Sequence, residues 1–145
     1  MSDLAQLADA IVAELNAGPA FDPTIVAVRK SVPVIELSKM ADGIFVSVIP
    51  RSITVAGGTR AGALVDLTVD IGVQRRVDPA DDAAIDEMLG LVQAIGERLY
   101  NRRLAGLPGA NYVSATNEPA IAADHLERFK VFTSVLSVTY RAMRI

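Results

Sequence analysis

Apolar positions along this chain repeat with two periods, and the elements separate where one period gives way to the other. Leu4, Leu7, Ala8, Ile11, Val12 and Leu15 recur at three- and four-residue spacing, which predicts a helix begun by Ser2 or Asp3 and ended by Asn16 to Pro19. The same period returns in Ile85, Met88, Leu89, Val92, Ile95 and Leu99, the apolar stripe of a long helix placed between Asp78 and Gly106, with Pro79 to Leu104 as its body. Its ends carry matching signals. Asp78 can cap the first amides, Pro79 suits the first turn, and Asp81, Asp82, Asp86 and Glu87 set acid at the positive end of the dipole. Arg98, Arg102 and Arg103 lie toward the opposite end, where Gly106 and Pro108 are expected to stop the helix.

Period two governs the stretches between and after the helices. In Leu64 to Arg76, Val65, Leu67, Val69, Ile71 and Val73 alternate with Asp66, Thr68, Asp70, Gln74 and Arg76, so one face of a strand meets the core and the other meets water. Ile44 to Ile49 is apolar on both faces except at Ser47, which predicts a strand that is central or meets a partner on one side, ended by Pro50. Ile25 to Ile35 is β-rich but broken by Pro33, an edge signal, and a turn through Ser38 to Gly43 follows. Ser52 to Ala63, with Gly57, Gly58, Thr59, Arg60 and Gly62, reads as a flexible loop rather than a tight hairpin. Leu107 to Asp124 reads as mostly loop, strand-like only at Tyr112 to Ala115, and Phe129 to Arg144 as a final strand. Helix, strands, helix, strand is not a βαβ series. The expected fold is α+β, a mainly antiparallel or mixed sheet with two helices packed on one face, as one domain over 1–145.

Composition narrows the chemistry. The 145 residues are 51% hydrophobic but only 5% aromatic, so the core is expected to be aliphatic. No apolar run reaches a membrane span, and the first residues lack the layout of a signal peptide, so a cytoplasmic site of synthesis is expected. Zero cysteines exclude disulfides and thiolate chemistry, and a single histidine excludes a multi-histidine metal site within one chain. A net charge of −3 argues against binding that works by neutralising many phosphates.

Four groups of residues invite a functional reading beside a plain one. Asp66 and Asp70 share a strand face and could act as an acid/base pair or hold a divalent cation, but alternation alone explains them. Gly57-Gly58-Thr59-Arg60 could cradle an anion, yet it has neither the lysine nor the glycine spacing of a phosphate loop. His125 with Ser134 or Ser137 could form a hydrolase pair, although no nucleophile-elbow sequence surrounds either serine. The arginines at 75 and 76, 102 and 103, and 141 and 144 would suit an acidic partner surface if they converged. More telling are Ala83, Gly90 and Ala94, which fall opposite the apolar stripe of the long helix. A glycine there costs roughly 1 kcal/mol against alanine, which allows for close packing on the outward face.

The order of pieces carries a resemblance. Leu4-Ala5-Gln6-Leu7-Ala8-Asp9-Ala10-Ile11 is followed by Val32-Pro33-Val34-Ile35-Glu36-Leu37, by Val46-Ser47-Val48-Ile49-Pro50-Arg51 and by an arginine-bearing loop into the Asp66 to Val73 strand. Leu91-Val92-Gln93-Ala94-Ile95 and Phe132-Thr133-Ser134-Val135-Leu136-Ser137-Val138-Thr139-Tyr140-Arg141 complete the series. Together these resemble the tail terminator, or tail completion, proteins of long-tailed bacteriophages. The resemblance implies a virion protein of the head-tail junction that forms a homo-oligomeric ring of six on the last ring of the tail tube protein, stops tube polymerisation and offers head-completion or neck proteins a docking surface. It implies no enzyme, no cofactor and no membrane, and genomic DNA that passes through the ring without sequence-specific binding. Arg60, Arg75, Arg76 and Gly90 are the expected interface residues. The alternatives are another head-tail joint protein, a stopper or adaptor, or a small hydrolase built on Asp66, Asp70 or His125.

Overall fold

The structure, a computed structural model, describes residues 2–17, 25–30, 43–59, 62–118 and 120–144. In chain order these form α1 (Asp3–Ala17), β1 (Ala27–Arg29), β2 (Ile44–Thr59), β3 (Gly62–Arg76), α2 (Asp82–Leu99), β4 (Ala110–Asn117), α3 (Ala123–Phe129) and β5 (Val131–Arg144). The expected turn at 38–42 and the strand segment at 32–35 lie outside the described residues.

The sheet runs β1-β2-β3-β5-β4, parallel between β1 and β2 and antiparallel elsewhere. Its centre is β3, where Val65, Leu67, Val69, Ile71 and Val73 are all buried, as the alternation requires. Register extends that buried face sideways: Val46 and Val48 of β2 lie opposite Val73 and Ile71, while Tyr140, Val138 and Leu136 of β5 lie opposite Leu67, Val69 and Ile71. Helix α1 packs there through Leu7, Ala8, Ile11 and Leu15, and α2 through Met88, Val92, Ile95 and Leu99, which completes an α+β fold with these two helices on one face. Burying an aliphatic side chain contributes roughly 2 kcal/mol. Slipping β3 by one residue would thus forfeit on the order of 10 kcal/mol, about the whole stability of an ordinary domain.

Several boundaries differ from the sequence reading. The expected Ser52–Ala63 loop is instead the far half of a long hairpin, paired as Ile53↔Leu67, Val55↔Val65, Gly58↔Ala63 and Thr59↔Gly62. Pro50 does not end β2. It pairs with Val69, and the register shifts immediately after it, so its missing donor coincides with a bulge. Helix α2 begins later than expected because Asp81, not Asp78, accepts from the Ala84 amide (3.1 Å), while Asp78 closes a small turn onto Ala80 N. It ends at Leu99, where Tyr100 leaves the helical path and Asn101 takes φ 51°. The expected loop after it holds an eight-residue strand, β4, and a third helix, α3, which lies against β5.

Polar bonds fix the helices to the sheet. Asn16 closes two bonds with the Ala27 backbone (3.0 and 2.9 Å), and Arg29 reaches Asp9. Glu14 meets Arg98 at 3.2 Å and Arg102 at 3.1 Å, tying α1 to α2 and the turn beyond. The buried Tyr140 hydroxyl lies 3.3 Å from the Arg102 carbonyl and 3.5 Å from that of Leu99. Gly106 marks a close approach rather than a helix stop: a Cβ there would sit 2.9 Å from Ala10 Cβ and 3.3 Å from its Cα.

Two outcomes follow for the isolated chain. Gly106→Ala must push α1 away and is expected to destabilise by about 1–3 kcal/mol, whereas Gly90→Ala, whose Cβ meets nothing, is expected to stabilise by up to ~1 kcal/mol. Urea unfolding of both variants checks the pair of signs. Burial, then the neighbouring Tyr112 and Glu14, push the Tyr140 phenol up to about 12, with Arg102 opposing. The folded chain therefore holds that proton where the unfolded chain has released it, and stability falls as pH climbs from about 10 toward about 12. Urea midpoints across that range should fall less steeply for Tyr140→Phe.

Candidate functional site

Period two gives the sheet a second face, and β3 determines its chemistry. Asp66, Thr68, Asp70 and Gln74 point away from α1 and α2, and each meets a complementary group on β5. Arg141 holds Asp66 in a two-pronged pair (Nε–Oδ1 2.7 Å, Nη2–Oδ2 3.1 Å), and that hydrogen bond keeps the Asp66 carboxyl below its ordinary value and the Arg141 guanidinium above its own. Thr68 and Thr139 share a bond of 2.9 Å. Ser137 donates to Asp70 at 2.6 Å, and Arg51 donates to Ser137 at 3.1 Å and stands 3.4 Å from Asp70. Beside them a shallow hollow of about 490 Å³ is lined by side chains including Ser52, Ser114, Thr116 and Glu118. Asp66 and Asp70 therefore spend their charge on separate arginines. Among the described residues no group of three or more potential metal ligands forms.

The hydrolase constellation does not assemble. His125 Nδ1 is 2.9 Å from Thr133 Oγ1, which also accepts from Gln74 at 3.3 Å, so the imidazole is engaged on the polar face. Ser134 belongs to the opposite face, where Asn117 donates to its Oγ at 2.9 Å. Ser137 is taken up by Asp70 and Arg51.

The arginines do not converge either. Arg75 lies on the helix-bearing face, 3.5 Å from Glu87 of α2, whereas its neighbour Arg76 points to the other face, as adjacent strand positions must. Arg102 is committed to Glu14 and Arg141 to Asp66. Arg60 lies outside the described residues. Gly90 is exposed on the outer side of α2 with open space around it.

Two surfaces stand out, the first within the Ser52 to Ala63 stretch that the sequence marked as a candidate contact loop and the second one that the sequence did not single out. The first is the hairpin end. Ile53 (46% exposed), Val55 (68%), Leu64 and Met143 leave apolar side chains in solvent on both faces of the far β2-β3 ladder and its β5 neighbour. The alternating signal was present in Ser52 to Val55, but Gly57 and Gly58 masked it. The second is a mostly apolar groove of about 520 Å³ between the C-terminal half of α2 and the edge strand β4, lined by residues including Val92, Gly96, Tyr100, Tyr112, Ala115 and Leu136. Tyr112 stacks edge-on with both Tyr100 and Tyr140, which closes its upper end. A Cβ at Gly96 would lie 3.8 Å from Leu136 Cδ2, so at the groove floor α2 and β5 stand at ordinary contact distance.

The Asp66–Arg141 pair gives an acid signature. A carboxyl held below its ordinary value stabilises the fold above that value, and the contribution disappears as pH falls through the folded value. Arg141→Gln should therefore lower the urea midpoint at neutral pH and converge on the parent chain as the pH falls through the lowered Asp66 value. A constant gap between the two at every pH would assign the effect to packing instead.

No protein-family model matches this chain, and no characterised protein matches it in sequence. Among solved structures it is similar to a chain of a structure described as "Virion of native gene transfer agent (GTA) particle", at 17% identity, over 99% of this chain and 98% of that one, with a TM-score of 0.56. At that identity the likeness is one of fold, and it spans the two chains nearly end to end.

Proposed function

We propose that the chain is a structural protein of a phage-like virion, and within it a tail terminator: a homo-oligomeric ring of six that sits on the end of the tail tube, stops tube polymerisation and offers head-completion or neck proteins a docking surface. Genomic DNA passes through the ring without base-specific contacts. The observation that carries the reading is the end-to-end fold likeness to a chain of the gene transfer agent virion, joined to the resemblance in element order. The site chemistry supports it from a second direction. The candidate catalytic groups are engaged in bonds to one another or to the sheet, while the hairpin end and the α2–β4 groove present apolar surface of the kind that marks protein contacts.

Within such a ring Arg60 and Arg76 are proposed to face acidic groups of neighbours, with the open side of α2 around Gly90 as a further contact. Arg75 contributes from its place beside Glu87, a pair at the edge of α2.

The deciding experiment adds the purified chain to polymerising tube protein from the same particle and measures tube lengths and end density by electron microscopy. Capped tubes of limited length are expected. Tubes that grow unchanged, with the chain located against the portal, would replace the terminator with a stopper or adaptor. Gly90→Glu is expected to weaken capping while leaving the isolated chain folded, since its side chain enters open space. A Gly90→Glu chain that caps at the parent length would remove that helix face from the interface.

A further inference from the structure

We propose that Asn16 keeps the sheet closed at its β1 edge: its side-chain amide occupies the outward N–H and C=O of Ala27, which would otherwise pair with an extended segment of a second copy of this chain. The inference goes beyond the ring reading and does not rest on it.

The backbone decides which groups of β1 need a partner. Strand β1 ends the sheet order and pairs with β2 in parallel register, as Ala27↔Val46, Val28↔Ser47 and Arg29↔Val48. Lys30 N donates to Val48 O at 2.9 Å, so position 30, and position 28 with it, turns its N–H and C=O toward β2. Positions 27 and 29 therefore turn theirs away from the sheet. At an edge such groups are a template for another strand.

The side chains around them favour that template. Ile25-Val26-Ala27-Val28 is an unbroken apolar run, rich in β-branched residues, in which Val26 is 56% and Val28 49% exposed. With its edge open, such a run invites the same run of a second copy, since like segments cover one another's apolar side chains and backbone at once.

Helix α1 blocks the pairing. Asn16 Nδ2 donates to the Ala27 carbonyl at 3.0 Å and Asn16 Oδ1 accepts from the Ala27 amide at 2.9 Å, the same exchange of two bonds that a facing residue of an antiparallel strand would make. A carboxamide carries both a donor and an acceptor, so one side chain satisfies both groups. Two turns earlier on α1, Asp9 holds Arg29 at 3.2 Å, which sets an ion pair beside the other outward residue. The bare side chains of Val26 and Val28 thus flank a backbone position that has no bond left to offer.

Two measurements test the proposal. In the parent chain the Ala27 amide is expected to exchange with solvent as slowly as that of Lys30, which is bonded to β2; exchange at the rate of an open edge overturns the proposal without any substitution. Sedimentation velocity then compares Asn16→Ala with the parent and with Gly106→Ala, which disturbs α1 at a different contact. Asn16→Ala is expected to self-associate at a concentration several-fold lower than either. Adding Val28→Lys, a charge at an exposed edge position, is expected to return it to the behaviour of the parent. An Asn16→Ala chain that sediments as the parent does overturns the proposal, and so does association that matches Gly106→Ala or survives Val28→Lys; each leaves Asn16 as a tether between α1 and β1 alone.

Discussion

Strand β3 presents two incompatible surfaces on one backbone, and the rest of the chain is arranged to satisfy both. Its five aliphatic side chains require helices on one side, and its aspartates and threonine require partners on the other. The demands are met by different elements: α1 and α2 cover the first face, while β5 supplies Arg141, Thr139 and Ser137, and β2 supplies Arg51, to the second. The two faces enforce the same register, since a one-residue slip would expose Val69 and bury Asp70 together. That agreement of local pattern with global packing is what selects a single arrangement.

The same alternation explains how much of the fold was legible in the sequence. The α1 and α2 stripes and the β3 pattern are strongly periodic, and all three elements lie where the periods put them. Elements whose residues pack little were not legible. Strand β4 is mostly exposed and rich in Asn, Ser and Thr, so only its middle, Tyr112 to Ala115, read as strand, and α3, which has no fully buried residue, was not legible. The hairpin was hidden because two glycines and a proline are ordinarily turn signals. Here Pro50 coincides with a bulge and Gly57 and Gly58 remain in a ladder.

The candidate sites divide along the same line. Strand periodicity separates Arg75 from Arg76, and Ser134 from Thr133, because neighbours on a strand cannot share a face, although the sequence reading left convergence of the arginines open. By contrast, the bonds that take Asp70 to Ser137 and Asp66 to Arg141 join residues 67 and 75 positions apart, and only β3-β5 register brings them together. The groove was equally invisible, since it is formed by α2, β4 and β5 and by no single stretch.

The form of the sheet edge bears on what can pair with it. An unprotected edge strand favours strand addition, which would extend one sheet from chain to chain. Strand β4 is poorly suited to that: its register shifts between Tyr112 and Ser114, and Asn117 turns inward to bond Ser134 and the Val135 carbonyl. A bulge at that position bends the ladder and leaves the outward amides unevenly spaced. The helix-bearing face of β4 is of a different kind: Tyr112 and Ala115 wall the groove there, and edge-on contacts with Tyr100 and Tyr140 hold Tyr112 in place. Along this edge the chain therefore presents side chains rather than an evenly spaced row of amides.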